Sequence, residues 1–226
     1  MSQLLSFRKS ASQLSGGVSD ESVRSMALGI LQRLPMKGGL LDYGAGKGEF
    51  LRRIHEQFPA LPLTGADLFA RPEGLPAAVG WHQQDLNAPL QLTDTFDTVV
   101  STEVIEHLEN PREFFRNVAS TLRPGGALVL TMPNQESLRS YVCLVFGGHH
   151  AAFLGASYPA HITALLRLDL VRICAETGFT RPEFFYSNYG GIPRLPSISW
   201  QSVSFGLLRN RLFSDNIGML TYKPDT

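Results

Sequence analysis

The segment Gly39-Leu40-Leu41-Asp42-Tyr43 runs straight into Gly44-Ala45-Gly46-Lys47-Gly48. An apolar stretch suited to a buried strand therefore ends in a loop with glycine at every second position. The next residues place Phe50, Leu51, Ile54 and Phe58 on one helical face. A strand, a glycine turn and an amphipathic helix in that order predict the first unit of a parallel sheet covered by helices.

The rest of the chain keeps this rhythm. Strands are predicted over 61–66, 79–83, 96–101 and 127–132, with Asp67 closing the second and a turn at Pro124-Gly125-Gly126 before the fifth. Asp20 suits the N-cap of a helix carrying Val23, Met26, Ala27, Ile30, Leu31 and Leu34. Asn110-Pro111 opens another helix, with Phe114, Phe115, Val118 and Leu122 at helical spacing. Helices follow over 136–146 and 164–177, and two further strands over 182–187 and 217–222. The expectation is one α/β domain over 20–226, preceded by a flexible polar arm over 1–19. Two insertions, about 133–163 and 188–215, are expected to form a lid over an acceptor site, with Tyr141, Phe146, Phe153 and Tyr158 as lining candidates.

Charge and cysteine content exclude several classes. The chain carries 20 Lys and Arg against 20 Asp and Glu, so no overall basic excess points to nucleic acid. Cys143 and Cys174 lie in apolar stretches and have no metal-ligand spacing. No signal-peptide pattern or membrane-length apolar run is present, which makes the cytoplasm the expected location. The stretch 189–214 mixes Trp200, Phe205 and leucines with Arg209 and Arg211. It reads as a packed insertion or dimer contact, a pocket cover, or a peripheral membrane contact, and 199–213 is predicted as an amphipathic helix.

Three acidic residues follow the glycine pattern at intervals. Asp42 precedes the loop, Asp67 lies about twenty residues beyond it, and Asp85-Leu86 follows the third strand. Glycines let a ligand approach the backbone closely. A GxGxxG loop holds a dinucleotide pyrophosphate, but GAGKGEF departs from that pattern. The acidic residue on the strand favours a ligand with a positive centre and a free amino group.

Taken together, LLDYGAGKGEFL, GADL, QQDLN, FDTVVSTEVIEHLENPREFFRNVASTLRPGGALVLTMPN and AETGF resemble the successive motifs of class I S-adenosylmethionine (SAM)-dependent methyltransferases, over about residues 38–180. The resemblance implies a Rossmann-like, doubly wound, mostly parallel seven-stranded sheet whose last strand is antiparallel. It implies that Asp42, Gly44, Ala45 and Gly46 hold the methionine end of SAM. Asp67 and Leu68 would serve the ribose, Asp85 and Leu86 the adenine. Ser101 to Glu103 would sit below the transferable methyl.

Glu103-Val104-Ile105-Glu106-His107 carries the acceptor chemistry in this reading. On one helical turn its acidic groups and imidazole share a face. Three roles stay open. Glu103 faces the cofactor while Glu106 and His107 pack the pocket edge; or His107 is a general base; or Glu103, Glu106 and His107, completed by His149, His150 or His161, bind a divalent cation. The weight falls on the first, and no metal is assigned. A similar E-x-x-E-H segment occurs in ubiquinone-biosynthesis O-methyltransferases and small-RNA 2′-O-methyltransferases, where the resemblance implies a metal. The expected function is methylation, on oxygen, of a small molecule, sugar or lipid-linked sugar by a monomer or homodimer. A quinone precursor and RNA rank lower as acceptors. The competing classes are a catalytically silent SAM-binding partner module and a nicotinamide enzyme.

Overall fold

β1 (Leu40–Tyr43) is buried along its whole length, as a strand covered on both faces must be. It pairs in parallel with β2 (Leu63–Asp67) on one side and β4 (Phe96–Thr102) on the other; β3 (Gly80–Gln83) extends the sheet beyond β2. The computed structural model describes every residue except Met1, Ser2, Ser15, Val18, Leu90 and Thr226.

β5 (Leu122–Pro133) lies parallel to β4. After β6 (Glu183–Tyr186) the chain leaves the sheet and returns as β9 (Asn216–Tyr222), antiparallel to both neighbours. The order is β3-β2-β1-β4-β5-β9-β6, seven strands with the last antiparallel. The order reverses between β1 and β4, where doubly wound sheets open a crevice at their carboxyl ends.

Alternation along β5 sets the two layers. Ala127 and Val129 face the cluster built by α2 (Glu21–Leu31) and α3 (Glu49–Gln57), with Leu31, Leu51 and Ile54 fully buried. Leu128, Leu130 and Met132 face α4 (Pro111–Thr121) and α6 (Arg167–Glu176). Asn110 caps α4 by accepting from the Glu113 N–H at 3.2 Å, with Pro111 at the first helical position. Asp20 stands at the N-cap of α2 but makes no side-chain cap bond.

Several expectations change. In place of a flexible arm, Gln3–Leu14 is a helix, α1; Met1, Ser2, Ser15 and Val18 of that arm lie outside the described residues. The turn expected at 124–126 is absorbed into β5, because Leu122 already pairs with Phe96. What remains of it is a register shift and a left-handed Gly125. The helix over 136–146 is α5 (Leu138–Gly147). No long helix forms over 199–213. That excursion holds a small hairpin of β7 (Gly191–Ile192) and β8 (Leu195–Ser199), a single turn α7 (Trp200–Val203), and a 3-10 turn at Arg211–Phe213. Left-handed Phe205, Gly206 and Asn210 break the helical periodicity.

Phe115 is fully buried, with ring centroids 5.6 Å from Phe114 and 5.7 Å from Phe179. Phe115→Ala is expected to cost about 3–5 kcal/mol in chemical denaturation, because α4 and α6 cannot collapse into the space. A loss under about 1 kcal/mol would show this layer to be loosely packed.

Candidate active site

The three acidic residues separated in sequence meet at the carboxyl edge of β1, β2 and β3. Asp42 is in register with Gly65 of β2 and Val100 of β4. Asp67 ends β2, and the Gln84 N–H donates to the Asp67 carbonyl at 2.8 Å, placing Asp85 beside it. Asp42, Asp67, Asp85, Leu68 and Leu86 all line one cavity of about 500 Å³. That size suits a nucleoside-sized ligand.

The glycine loop forms the cavity floor, with Gly44 at φ +98° and Gly46 at φ +52°. A Cβ on Gly44 would collide with Val104 Cγ2, and one on Gly46 would collide with the Gly17 carbonyl oxygen. Only glycine permits both the conformation and the close packing here. Ala45, between them, also lines the cavity. The Gly46 N–H donates to Asp67 Oδ2 at 2.8 Å, and the Phe69 N–H donates to Asp67 Oδ1 at 3.1 Å. Burial still raises the Asp67 carboxyl above its ordinary value, against these bonds.

Asp42 is different. It is 1% exposed, and neither carboxylate oxygen has a hydrogen-bond partner. Burial, and then the neighbouring Asp67 charge, push its carboxyl up to about 8. A buried carboxylate without partners is costly, and such groups call for a ligand. One that lines a cavity fits a ligand carrying an ammonium group.

The opposite part of the cavity is built by the turn after β4. Glu103 takes the left-handed conformation at φ +55°, and its N–H is held by Thr131 Oγ1 at 3.2 Å. Asn216 of β9 donates to Glu103 Oε1 at 2.7 Å. Burial raises the Glu103 carboxyl to about 7 despite that bond. A strained non-glycine residue at a strand exit is a mark of functional geometry. The following residues, Ile105–His107, form a 3-10 turn, so Glu103 is not on a common helical face with Glu106 and His107.

Glu106 is 2% exposed, and both its carboxylate oxygens lack hydrogen-bond partners. Burial, and then Glu103, hold it well above the usual carboxylate range. His107 Nδ1 lies 2.8 Å from the Ala160 carbonyl oxygen, and His161 Nδ1 lies 2.6 Å from that of Ala152. In the neutral rings those nitrogens carry the protons and Nε2 holds the lone pair. Burial lowers the pKa of both histidines, which favours this neutral state. The two rings are 4.9 Å apart, edge to face, and one ligand atom from each of Glu106, His107 and His161 falls within 4.8 Å of the others.

Some expected residues lie elsewhere. Ser101 does not line the cavity: it is buried and its hydroxyl donates to the Tyr43 carbonyl at 2.6 Å, tying β1 to β4. Thr102 and Glu103, the other two residues of the expected 101–103 segment, do line it. His149 and His150 are also outside the cavity; His150 Nδ1 is 2.9 Å from Ser140 Oγ. Tyr141, Phe146 and Tyr158 are exposed, and Phe153 packs on His161 at 5.5 Å rather than lining the pocket. No described residue of 188–215 lines the cavity, whereas Pro159, His161 and Ile162 of the first insertion do.

One element has no counterpart in the sequence reading. α1 crosses the cavity mouth, and Arg8 donates to Asp85 Oδ2 at 2.7 Å and to Glu109 at 2.8 Å. The hydrogen bond from Arg8 helps hold Glu109 below the usual carboxylate range. A lone arginine in a Ser-rich stretch gives no sign of this pairing.

The chain matches the methyltransferase-domain family over residues 20–181. Its similarity to the ubiquinone biosynthesis O-methyltransferase of Xanthomonas oryzae pv. oryzae is 32% identity over 157 residues, 61% of this chain and 64% of that one. It is 26% identical over 152 residues to the biotin biosynthesis bifunctional protein BioHC of Teredinibacter turnerae, covering 61% of this chain and 25% of that one. The alignments thus span between 17% and 64% of the length of these and the other curated relatives. A SAM-dependent methyltransferase from Archaeoglobus fulgidus superposes with a TM-score of 0.60 at 19% identity, covering 91% of this chain and 95% of that one, a likeness of fold. With the family match covering most of its length and the sheet order that of a Rossmann-like methyltransferase, the chain belongs to the class I, SAM-dependent methyltransferase-domain family.

Proposed function

We propose that this protein methylates a hydroxyl oxygen on a small-molecule acceptor, with SAM as the methyl donor. The observation that carries the reading is the pairing, in one cavity, of an unpartnered buried Asp42 with a neutral His107–His161 pair. SAM supplies an electrophilic methyl on a sulfonium and a neutral thioether leaving group.

The residues present fit SAM. Asp42 would receive the ammonium that its orphaned oxygens lack. The backbone at Gly44, Ala45 and Gly46 lines the cavity beside Asp42, where it would pass close to the methionine end. Asp67 keeps acceptor capacity for ribose hydroxyls beyond its two backbone bonds. Asp85 and Leu86 would take the adenine edge and face, with Arg8 sharing the Asp85 carboxylate. His107 Nε2, unprotonated while Nδ1 serves Ala160, would take the acceptor proton.

The ubiquinone-pathway relatives are named for transfer to oxygen, which supports a hydroxyl acceptor. A phenolic ring or a sugar, free or lipid-linked, is the proposed acceptor class. Labelled-methyl transfer to panels of phenols, sugars and amines tests it. Transfer confined to amines would contradict the oxygen reading, and no transfer to any panel with SAM bound would favour a silent binding module.

A second reading is favoured by the Glu106, His107 and His161 geometry. Two imidazoles with Nδ1 fixed on carbonyl oxygens, beside a carboxylate lacking partners, form a donor set for a divalent cation. A cation there would supply Lewis acidity toward the acceptor hydroxyl. His107→Ala is expected to lower kcat by roughly 10²–10⁴ with SAM affinity nearly unchanged. Chelation separates the readings: full activity in chelator supports the base, and loss restored by Mg²⁺ or Zn²⁺ supports the cation.

Asp42 gives a pH-dependent prediction. Its carboxyl pKa is raised on folding from 3.8 to about 8. The folded state therefore binds the extra proton, and the ligand-free protein loses stability as pH rises through that window. Asp42→Asn removes the titration, so the ligand-free variant should melt above the wild type at pH 8. SAM at ~100 times its Kd should stabilise the wild type by about 2–3 kcal/mol and the variant hardly at all. Equal stabilisation of both would remove Asp42 from the cofactor site, and stabilisation by NAD instead of SAM would overturn the cofactor reading.

A further inference from the structure

The excursion between β6 and β9 builds a rigid tip whose side chains the fold leaves in water. Phe205 is 95% exposed and Leu207 is 83% exposed, with Val203 beside them also exposed. This exposure is not slack. The Gln201 side chain accepts from the Gly190 N–H at 3.1 Å and donates to the carbonyls of Leu208 at 2.7 Å and Phe213 at 2.9 Å. Ser204 Oγ accepts from the Leu208 N–H at 3.0 Å, and Arg209 Nε donates to the Gly206 carbonyl at 2.7 Å. Phe205 itself is held at φ +50°, a conformation that residues with a Cβ rarely adopt. Side-chain hydrogen bonds thus fix a strained loop that presents an aromatic ring outward.

Charge is distributed to match. The chain has 20 Asp and Glu, yet none falls in 137–166 or 188–214, which hold Arg139, Arg194, Arg209 and Arg211. Arg139 and Arg211 pair with Asp215 and Glu136. Arg194 and Arg209 are exposed and, among the described residues, in no ion pair. The two acid-free segments meet where α5 packs against Arg211–Phe213, and α5 exposes Phe146 at 79% and Val145 at 75%. The first segment also supplies Pro159, His161 and Ile162 to the cavity wall.

We propose that the tip from Val203 to Leu207, with Arg209 held against it, docks on the surface of an anionic lipid bilayer. A rigid tip with two protruding apolar side chains buries too little area for a stable protein interface, which needs roughly 800 Å² a side. Inserted at a headgroup boundary, the same side chains leave water while Arg209, in no ion pair among the described residues, meets anionic headgroups, the two signals that surface binding requires. Among the described residues no helix is long and apolar enough to cross a membrane, so the contact is peripheral. The tip lies apart from the cavity lining, so this inference holds whether or not the methyl acceptor is the one proposed above.

The test is co-sedimentation with phosphatidylcholine vesicles, with and without phosphatidylglycerol. The wild type should pellet with the anionic vesicles only. The Phe205→Ser, Leu207→Ser double variant and, separately, Arg209→Gln should each weaken binding, the double variant by roughly tenfold or more. Both variants should keep the wild-type thermal shift with SAM, which shows that they are folded. In a Trp81→Phe background, which leaves Trp200 next to the loop as the sole tryptophan, fluorescence should shift to the blue on addition of anionic vesicles. Wild type that stays in the supernatant with no Trp200 shift, or a folded double variant that pellets like wild type, would overturn the proposal. A concentration-dependent dimer that the double variant dissolves, with no vesicle binding, would assign the tip to a second copy of the chain instead.

Discussion

The architecture converges on a carboxylate that has nothing to bond to. Asp42 is placed by β1 at the centre of a parallel sheet, covered on both faces, where water cannot solvate it. Leaving a buried charge unpaired costs several kcal/mol, and the group retreats from ionisation instead. Nothing about the packing of β1 requires an acid at that position. The cost is understandable only if a cation arrives there, and the cavity that Asp42 lines together with Gly44 and Gly46 has room for one.

Glu106 repeats the pattern at the other end of the same cavity. Among the described residues, the buried side-chain oxygens without a hydrogen-bond partner all belong to Asp42 and Glu106. One stands at the exit of β1 and the other after β4, the two strands between which the sheet order reverses. Fold and chemistry are therefore linked by topology: the reversal opens the crevice, and each flanking strand delivers an acid to it. The β9 strand supports this from behind through Asn216, which fixes Glu103, and the Asn134 amide ties down the segment that leads into β9 by holding the carbonyls of Arg211 and Ser214.

The cofactor half of the site is legible in sequence because it depends on short-range pattern. Asp42, Gly44 and Gly46 belong to one strand–loop unit, Asp67 closes β2, and Asp85 follows two residues after the end of β3. The acceptor half is less legible because it depends on long-range contacts. His161 joins His107 only through the path of the loop after α5, and no local spacing distinguishes it from His149 and His150. The helix expected over 199–213 does not form for a related reason: the side chains of Gln201 and Ser204 bond to backbone groups that a helix would have paired. Ser101 falls out of the expected 101–103 segment because its hydroxyl bonds to the Tyr43 carbonyl inside the sheet, while Thr102 ends β4 and left-handed Glu103 turns the chain at the cavity. The helical arm over the cavity mouth has no sequence mark, as Arg8 finds Asp85 and Glu109 only in the folded chain.

The central claim is that an ammonium-bearing ligand meets Asp42 and turns it from a buried acid into a carboxylate. Calorimetry of SAM binding at pH 7, in buffers of different ionisation enthalpy, measures this directly. A carboxyl raised to about 8 must give up its proton as the complex forms. The account predicts net proton release in the wild type and its absence in a variant with a carboxamide at that position. Binding with no proton release, or with the same release in both proteins, would contradict it.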